Sequence, residues 1–395
     1  MTCYHLHNNG QLSIFGTCKH YTSPMSISYK DEHEELFYEL ALTFVPGIGA
    51  KTGRVLLEHF GNARAIFKTP LKELKNVDGI GEVKAKGFRD EEIMKRAEKE
   101  LTFVIKNDIK TFAINRNYPK RLANCNDAPL VLFHKGNADL DATKILAIVG
   151  TRKNTDYGQK LCEELVEGLQ VLDNVLVVSG LALGIDAIAH KKAVQLGIPT
   201  VGVLGHGLDR MYPHTHKSLS EQMIERGGIL AEFPSDTLPD KTNFPMRNRI
   251  VAGLSDVTVV VESNTSGGSL ITAHIASGYN REVASFPGRV NDSRSAGCNE
   301  LIRTNIAALI TNADDLIEMM NWKDGKPKAV QKQLFLHLTN EEQKIVDLLQ
   351  TKDSVHADEL FHHTGLQSSM LAATLLQLEM QGVIKTLPGK FYRMY

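Results

Sequence analysis

The chain has little that would mark it for export, for a membrane or for a metal. Its five cysteines, Cys3, Cys18, Cys125, Cys162 and Cys298, are scattered and show no CxxC spacing. An odd, dispersed set of this kind fits reduced thiols in the cytoplasm and not a disulfide frame or a zinc site. No apolar run approaches the ~18 residues that a membrane-spanning helix needs. The first stretch, "MTCYHLHNNGQLSIFGTCKHYTSP", lacks the basic start and apolar centre of a signal peptide. A net charge of -1 supplies no global field to recruit nucleic acid, so anion binding must come from local basic clusters. Several catalytic signatures are missing too. There is no GxxxxGK[ST] loop, no GxGxxG after the first strand with an acid placed for a ribose, and no GxSxG elbow. His214 and His216 have no third ligand at metal spacing. No cofactor is expected.

What is present is ordinary in bulk and organised in sequence. A length of 395 residues allows two or three domains. Residues 1–30 show no periodicity and read as a disordered leader, or as an over-extended reading frame whose start is Met25. Residues 34–110 have a helical pattern broken by two similar turns, "VPGIGAKTG" and "VDGIGEVKAKG". Gly47 and Gly49 recur as Gly79 and Gly81. Such glycines permit a tight turn whose backbone N–H groups face outward at a helix N-terminus, a geometry able to hold a duplex phosphate without reading bases. The same turns also fit a small helical domain that touches no DNA.

Residues 113–320 change character. Short apolar runs alternate with helical stretches, the pattern of a parallel-rich sheet with crossover helices. The strand candidates are "ILAIVG", "VLVVSG", "TVGVLG", "VTVVVE" and "EVASFPG". Most end in glycine or a small residue and open into a loop at the edge where such sheets gather ligands. Residues 321–337 are polar and lysine-rich and read as a linker. Residues 338–395 give three helical segments and a strand–turn–strand ending, the winged-helix pattern.

Five loops at the sheet edge carry candidate chemistry. In "GTRKNTDYG", Gly150 ends a strand and Arg152 follows at its mouth, placed for an oxyanion or for pairing with Asp156 or Asp186. In "SGLALGIDAIAH", Ser179 and Gly180 open the turn, and Asp186 reads as a cap or loop anchor. His190 of the same loop is expected on the helix surface. Lys217 lies on the helix after Tyr212-Pro213. The stretch "NFPMRNRIVAGLSD", with Lys241 just before it, sets Arg247, Asn248 and Arg249 in the first turns of a helix. That end favours acids, so a missing anion is implied. Around the helix the two arginines point about 200° apart, so one reaches the strand-end pocket while the other braces the loop or meets a neighbouring phosphate. The last loop, "SNTSGGSLITAHIASG", gathers Ser266, Gly268, Ser269 and Thr272 in an anion-cradling turn.

Taken together, "VGTRKNTDYG", "VSGLALGIDAIAH", "LGHGLDRMYP", "FPMRNRIVAGLSD", "SGGSLITAHIASGYNREVASFPG" and "GCNELIRTNIA" resemble, in order, the bacterial DNA-processing protein A family (DprA, also called Smf). The front repeat is similar to the helix-hairpin-helix. The resemblance implies a helix-hairpin-helix/SAM-like domain, an extended Rossmann-like domain and a winged helix. It implies single-stranded DNA binding by a basic pocket, homodimerisation, and protection of incoming DNA with loading of the RecA recombinase in natural transformation. By motif, Arg152, Arg247 and Arg249 carry over as DNA contacts, and Lys217 and Lys241 as a looser match. The family's Gly-Gly-Asn reads Gly297-Cys298-Asn299 here. The alternative is a Rossmann-like hydrolase of nucleoside monophosphates, although the "SGGSLITAHIA" helix lacks the glutamate such enzymes use. The third winged-helix segment, Gln367 to Gln381, has no Lys or Arg, so this domain is expected to serve protein contact or self-association over DNA reading.

Overall fold

The computed structural model describes residues 2–6, 12–16, 25–322, 338–352, 354–381, 383–387 and 389–394, with side chains from His33 onward. Within the expected leader, residues 7–11 and 17–24 lie outside the described residues, as do 323–337 of the expected linker. The chain divides into two compact units, residues 1–323 and 324–395.

In the first unit, Thr2–Leu6 (β1) and Leu12–Gly16 (β2) pair antiparallel, and six helices follow between Met25 and Lys106. The two Gly-Ile-Gly turns are built alike. Gly47 (φ 76°) and Gly79 (φ 81°) take the left-handed conformation that a Cβ disfavours. Gly49 and Gly81 then stand as extended N-caps of the helices Ala50–Phe60 and Glu82–Gly87. The helices bury Leu40, Leu56, Ile66, Leu74 and Phe88 in a core that continues into Leu130 and into Val131 and Phe133 of the sheet. Polar ties strengthen the joint. Arg116 pairs with buried Glu39 at 3.0 Å, and the Glu100 carboxylate accepts the Ser235 N–H at 2.9 Å and its hydroxyl at 2.6 Å.

Nine strands form one sheet: Lys110–Ala113 (β3), Val131–Gly136 (β4), Lys144–Val149 (β5), Val175–Ser179 (β6), Thr200–Leu204 (β7), Gly228–Ala231 (β8), Val257–Val260 (β9), Glu282–Ser285 (β10) and Ala308–Leu309 (β11). Their order is β11-β10-β9-β5-β6-β7-β8-β4-β3. β5 through β11 pair in parallel, while β4 runs antiparallel to both β8 and β3. β6 and β7 are buried at every residue, which explains their continuous apolar runs: helices cover both faces. The five strands expected from sequence are β5, β6, β7, β9 and β10. The other four escaped detection because β8 and β11 are very short and β3 and β4 lie toward an edge, where periodicity is mixed. The Rossmann-like sheet with a helix-hairpin-helix front is the architecture the resemblance implied.

The second unit holds the helices Asn340–Gln350, Ala357–Thr364 and Ser368–Met380 and a three-stranded antiparallel sheet of Val355–His356 (β12), Ile384–Leu387 (β13) and Phe391–Met394 (β14), ordered β12-β14-β13. Thr339 starts the first helix with a reciprocal capping box to Glu342. This is a winged helix, with one short strand, β12, that the sequence did not betray. Among the described residues no helix is long and apolar enough to cross a membrane.

Candidate nucleic-acid interface

From β5 the chain winds one way through β6, β7 and β8, then returns to place β9 on the other side of β5. Such a reversal leaves a crevice at the carboxyl ends of the strands. The cleft found there is lined by Arg152 after β5, Gly180, Ala182 and Leu183 after β6, and Gly205, His206, Tyr212 and Pro213 after β7. Phe244 and Arg247 of the helix Asn243–Leu254 close it.

Arg152 is exposed and takes part in no ion pair among the described residues, so the pairing with Asp156 or Asp186 is not made. Its guanidinium carbon stands 5.4 Å from the centre of the Phe244 ring, and Tyr212 lies 6.0 Å from that ring at 33°. A cation over an aromatic wall offers both charge to a phosphate and a face to a base. Gly150 lets the loop pass close to the helix Ile185–Leu196 that follows β6: a Cβ there would stand 2.6 Å from Ile185.

Arg247 forms the floor and is only 4 % exposed. It donates through Nη1 to the Val203 carbonyl at 2.8 Å, while its Nε has no partner. Gly180 is required beneath it, because a Cβ would overlap the guanidinium. Burial pushes the Arg247 pKa down to about 10, with the Asp186 carboxylate opposing and Arg152 adding to the fall. Asp186 accepts the Gly180 N–H at 3.1 Å and the Ala182 N–H at 3.4 Å, the anchoring of the loop read from sequence. Burial raises its pKa, against the pull of Arg247.

The histidines beside the cleft are structural. His206 donates from Nδ1 to the Gly207 carbonyl (2.9 Å) and accepts the Tyr212 N–H at Nε2 (3.2 Å), so both nitrogens are occupied. His190 is fully buried, not on the helix surface as expected. Its Nδ1 meets the Thr200 hydroxyl at 2.7 Å, and burial pushes its pKa down to about 3. It lies on the same helix face as Asp186, one turn on, which points it into the sheet.

The other expected contacts divide. Lys217, Lys241, Ser266 and Gly268 are exposed at or beside the strand-end edge, and Asn248 bonds the Gly268 carbonyl at 3.4 Å. Four others are engaged internally, and this corrects their reading as open phosphate donors. Ser179 is fully buried with its hydroxyl on the Ile148 carbonyl. Ser269 bonds Ser263 at 2.8 Å, and Thr272 is 2 % exposed with its hydroxyl toward Gly268. Arg249 turns away from the cleft to pair with Glu232 and the Asp127 carbonyl. The four front glycines are all exposed, but their turns differ electrostatically. The helix after Gly49 has no acid in its first turn, whereas the one after Gly81 begins with Glu82, paired to Lys86 at 3.2 Å.

Sequence reasoning missed Phe244, Leu183 and the aromatic role of Tyr212. Phe244 is the second residue of the arginine helix, and only the fold brings it under Arg152. Glu262 was also missed: it lies two residues past the end of β9, is 2 % exposed, and accepts the Thr155 N–H and hydroxyl, each at 2.9 Å, fixing the arginine loop to the segment after that strand.

Residues 110–321 match the model of the family described as DNA recombination-mediator protein A, 331–390 that of the DprA winged helix domain, and 39–87 that of the SAM-like helix-hairpin-helix tandem. The chain belongs to the DNA recombination-mediator protein A family. It is 40% identical over 200 residues to DNA processing protein DprA of Streptococcus pneumoniae, covering 51% of this chain and 70% of that one. It is 30% identical over 404 residues to Protein Smf of Synechocystis, covering 91% and 99% respectively. The X-ray structure of DNA processing protein A from Streptococcus pneumoniae has a TM-score of 0.63 at 32% identity, covering 72% of this chain and 96% of that one.

Proposed function

We propose that the chain is a non-catalytic single-stranded DNA-binding protein of the cytoplasm. In this reading it works as a homodimer that protects incoming DNA and loads RecA during natural transformation. The observation that carries the DNA reading is the exposed, unpaired Arg152 standing over Phe244 beside Tyr212, at the strand-end cleft. Arg152 meets a phosphate, the aromatic pair receives a base, and Lys217 and Lys241 extend the positive edge. Arg247 acts from the floor, where its buried charge attracts the strand without being freely solvated. Binding of this kind depends weakly on sequence and strongly on salt. The cleft lining contains no carboxylate, and His206 has both nitrogens occupied, which favours binding over hydrolysis of a nucleotide. The test is a salt-titrated comparison of single- and double-stranded oligonucleotide binding to the full chain. Preference for the single strand with a steep salt slope is expected; no single-strand binding would overturn the reading. RecA loading is tested separately by RecA filament formation on strands pre-coated with a single-strand binding protein, and an absence of stimulation would remove that part.

A further inference from the structure

The carboxyl edge of the sheet continues past the cleft to the loop after β10, which no expectation from sequence included. This loop, residues 286–295, is pinned at its base. The Tyr157 hydroxyl donates to the Pro287 carbonyl at 2.9 Å. Asn299 clasps Gly288 from both sides, accepting its N–H at 3.1 Å and donating to its carbonyl at 3.0 Å. Ser295 packs so closely on Gly288 that a Cβ there would overlap it. The Gly297 N–H donates to the Ser263 carbonyl at 2.9 Å, joining this loop to the one that bears Ser266 and Gly268.

The tip, in contrast, is open. Arg289 and Arg294 are exposed and take part in no ion pair among the described residues, as is Lys153 next to Arg152. Val290 is 90 % exposed and Tyr157 49 %. The acids nearby are Asp156, at the start of the helix after Arg152, and Asp292, whose carboxylate accepts the Arg294 backbone N–H at 2.9 Å. Free basic side chains with an exposed aromatic, held on an anchored loop, form the kind of surface that tracks a nucleic-acid backbone. β10 lies two strands from β5, so the tip stands roughly 10 Å along the edge from the Arg152 loop.

We propose that this loop is a second subsite for the same single strand. Arg289 and Arg294 take backbone phosphates and Tyr157 offers a stacking face, carrying the strand from the cleft across the ends of β9 and β10. The inference rests on the single-stranded DNA reading above. It assigns a direction to the bound strand, along the sheet edge away from β8.

The experiment compares the full chain with the Arg289→Ala/Arg294→Ala double variant and with Arg152→Ala, by fluorescence anisotropy on labelled oligothymidines of increasing length. The double variant should bind short oligomers as the wild type does and lose about tenfold on long ones. Its log–log salt slope on the long oligomers should be smaller by about 1.4, the value for two lost phosphate contacts. Wild-type affinity and slope of the double variant on long oligomers, with Arg152→Ala impaired on all lengths, would overturn the second subsite and leave the cleft standing. Failure of the wild type itself to bind any oligomer would remove both. Unchanged thermal unfolding of the double variant, expected for exposed side chains, separates lost binding from lost fold.

Discussion

The guanidinium of Arg247 rests on the Cα of Gly180, in the volume that a β-carbon at position 180 would occupy. Glycine just after β6 is therefore a condition for a buried arginine 67 residues later in the chain. Gly180→Ala should push Arg247 off the Val203 carbonyl and out of line with Asp186. The expected cost is roughly 1–3 kcal/mol of stability, typical of overpacking, together with weaker single-strand binding. Urea unfolding and oligothymidine anisotropy measure the two effects, and a variant with wild-type values in both would show that Arg247 has somewhere else to go.

The arginines of the site should separate by phenotype. Arg152 is exposed and unpaired, so Arg152→Ala should leave stability within about 0.5 kcal/mol. It should weaken binding and reduce the log–log salt slope by about 0.7, one phosphate's worth on a single strand. Arg249 and Glu232 have side chains only 13% and 10% exposed, and removing the arginine strands a buried carboxylate. Arg249→Ala should cost about 3–5 kcal/mol, with binding lost through the fold. If Arg249→Ala stays fully stable and Arg152→Ala does not, the two roles have been assigned the wrong way round.

This contrast also marks how far the sequence could be read. Spacing around a helix was enough to send Arg247 and Arg249 in opposite directions, and short apolar runs, four of them ending in glycine, located five strands of the sheet. Burial was harder to see. Ser179, Ser269 and Thr272 carry the hydroxyls that an anion loop would use, yet each finds a partner inside the protein, and only tertiary packing decides that. Phe244 escaped for a related reason: an aromatic before Pro245 has no periodic signal, and its importance comes from the Arg152 loop, some ninety residues earlier, being folded over it. His190 was misplaced because its helix is covered on more than one face, so a polar residue there gives no clue to which side is wet.

The winged helix should read no DNA. Its third helix, Ser368–Met380, has no Lys or Arg and exposes Met370, Leu376 and Met380, of which Met380 is 82 % exposed. A helix that entered a groove would need cations against the phosphates. Gel shifts with residues 338–395, which carry their own hydrophobic core, should show no binding below the micromolar range on either single or double strands. Submicromolar binding would sink this reading, and sedimentation of the same fragment would show whether the exposed face drives self-association.

His134 should make the fold acid-sensitive. It lies on β4, fully buried, with neither ring nitrogen hydrogen-bonded and Phe112 at 6.1 Å. Burial, aided by Lys110, pushes its pKa from 6.5 down to about 4. Between those values the unfolded chain holds a proton that the folded chain refuses. Stability from this group is thus complete above pH 6.5 and is lost as the pH falls toward 4. At 1.36 kcal/mol per pKa unit, the loss between pH 7 and pH 5 is about 2 kcal/mol. His134→Leu should remove that share of the pH dependence while leaving stability at pH 7 equal or higher, since two unsatisfied nitrogens disappear with the ring. His190, pushed down to about 3, keeps a similar slope in the variant, so the dependence shrinks without vanishing. Denaturant unfolding of both proteins at pH 7 and pH 5 measures the difference, and an unchanged drop in the variant would falsify the assignment to His134.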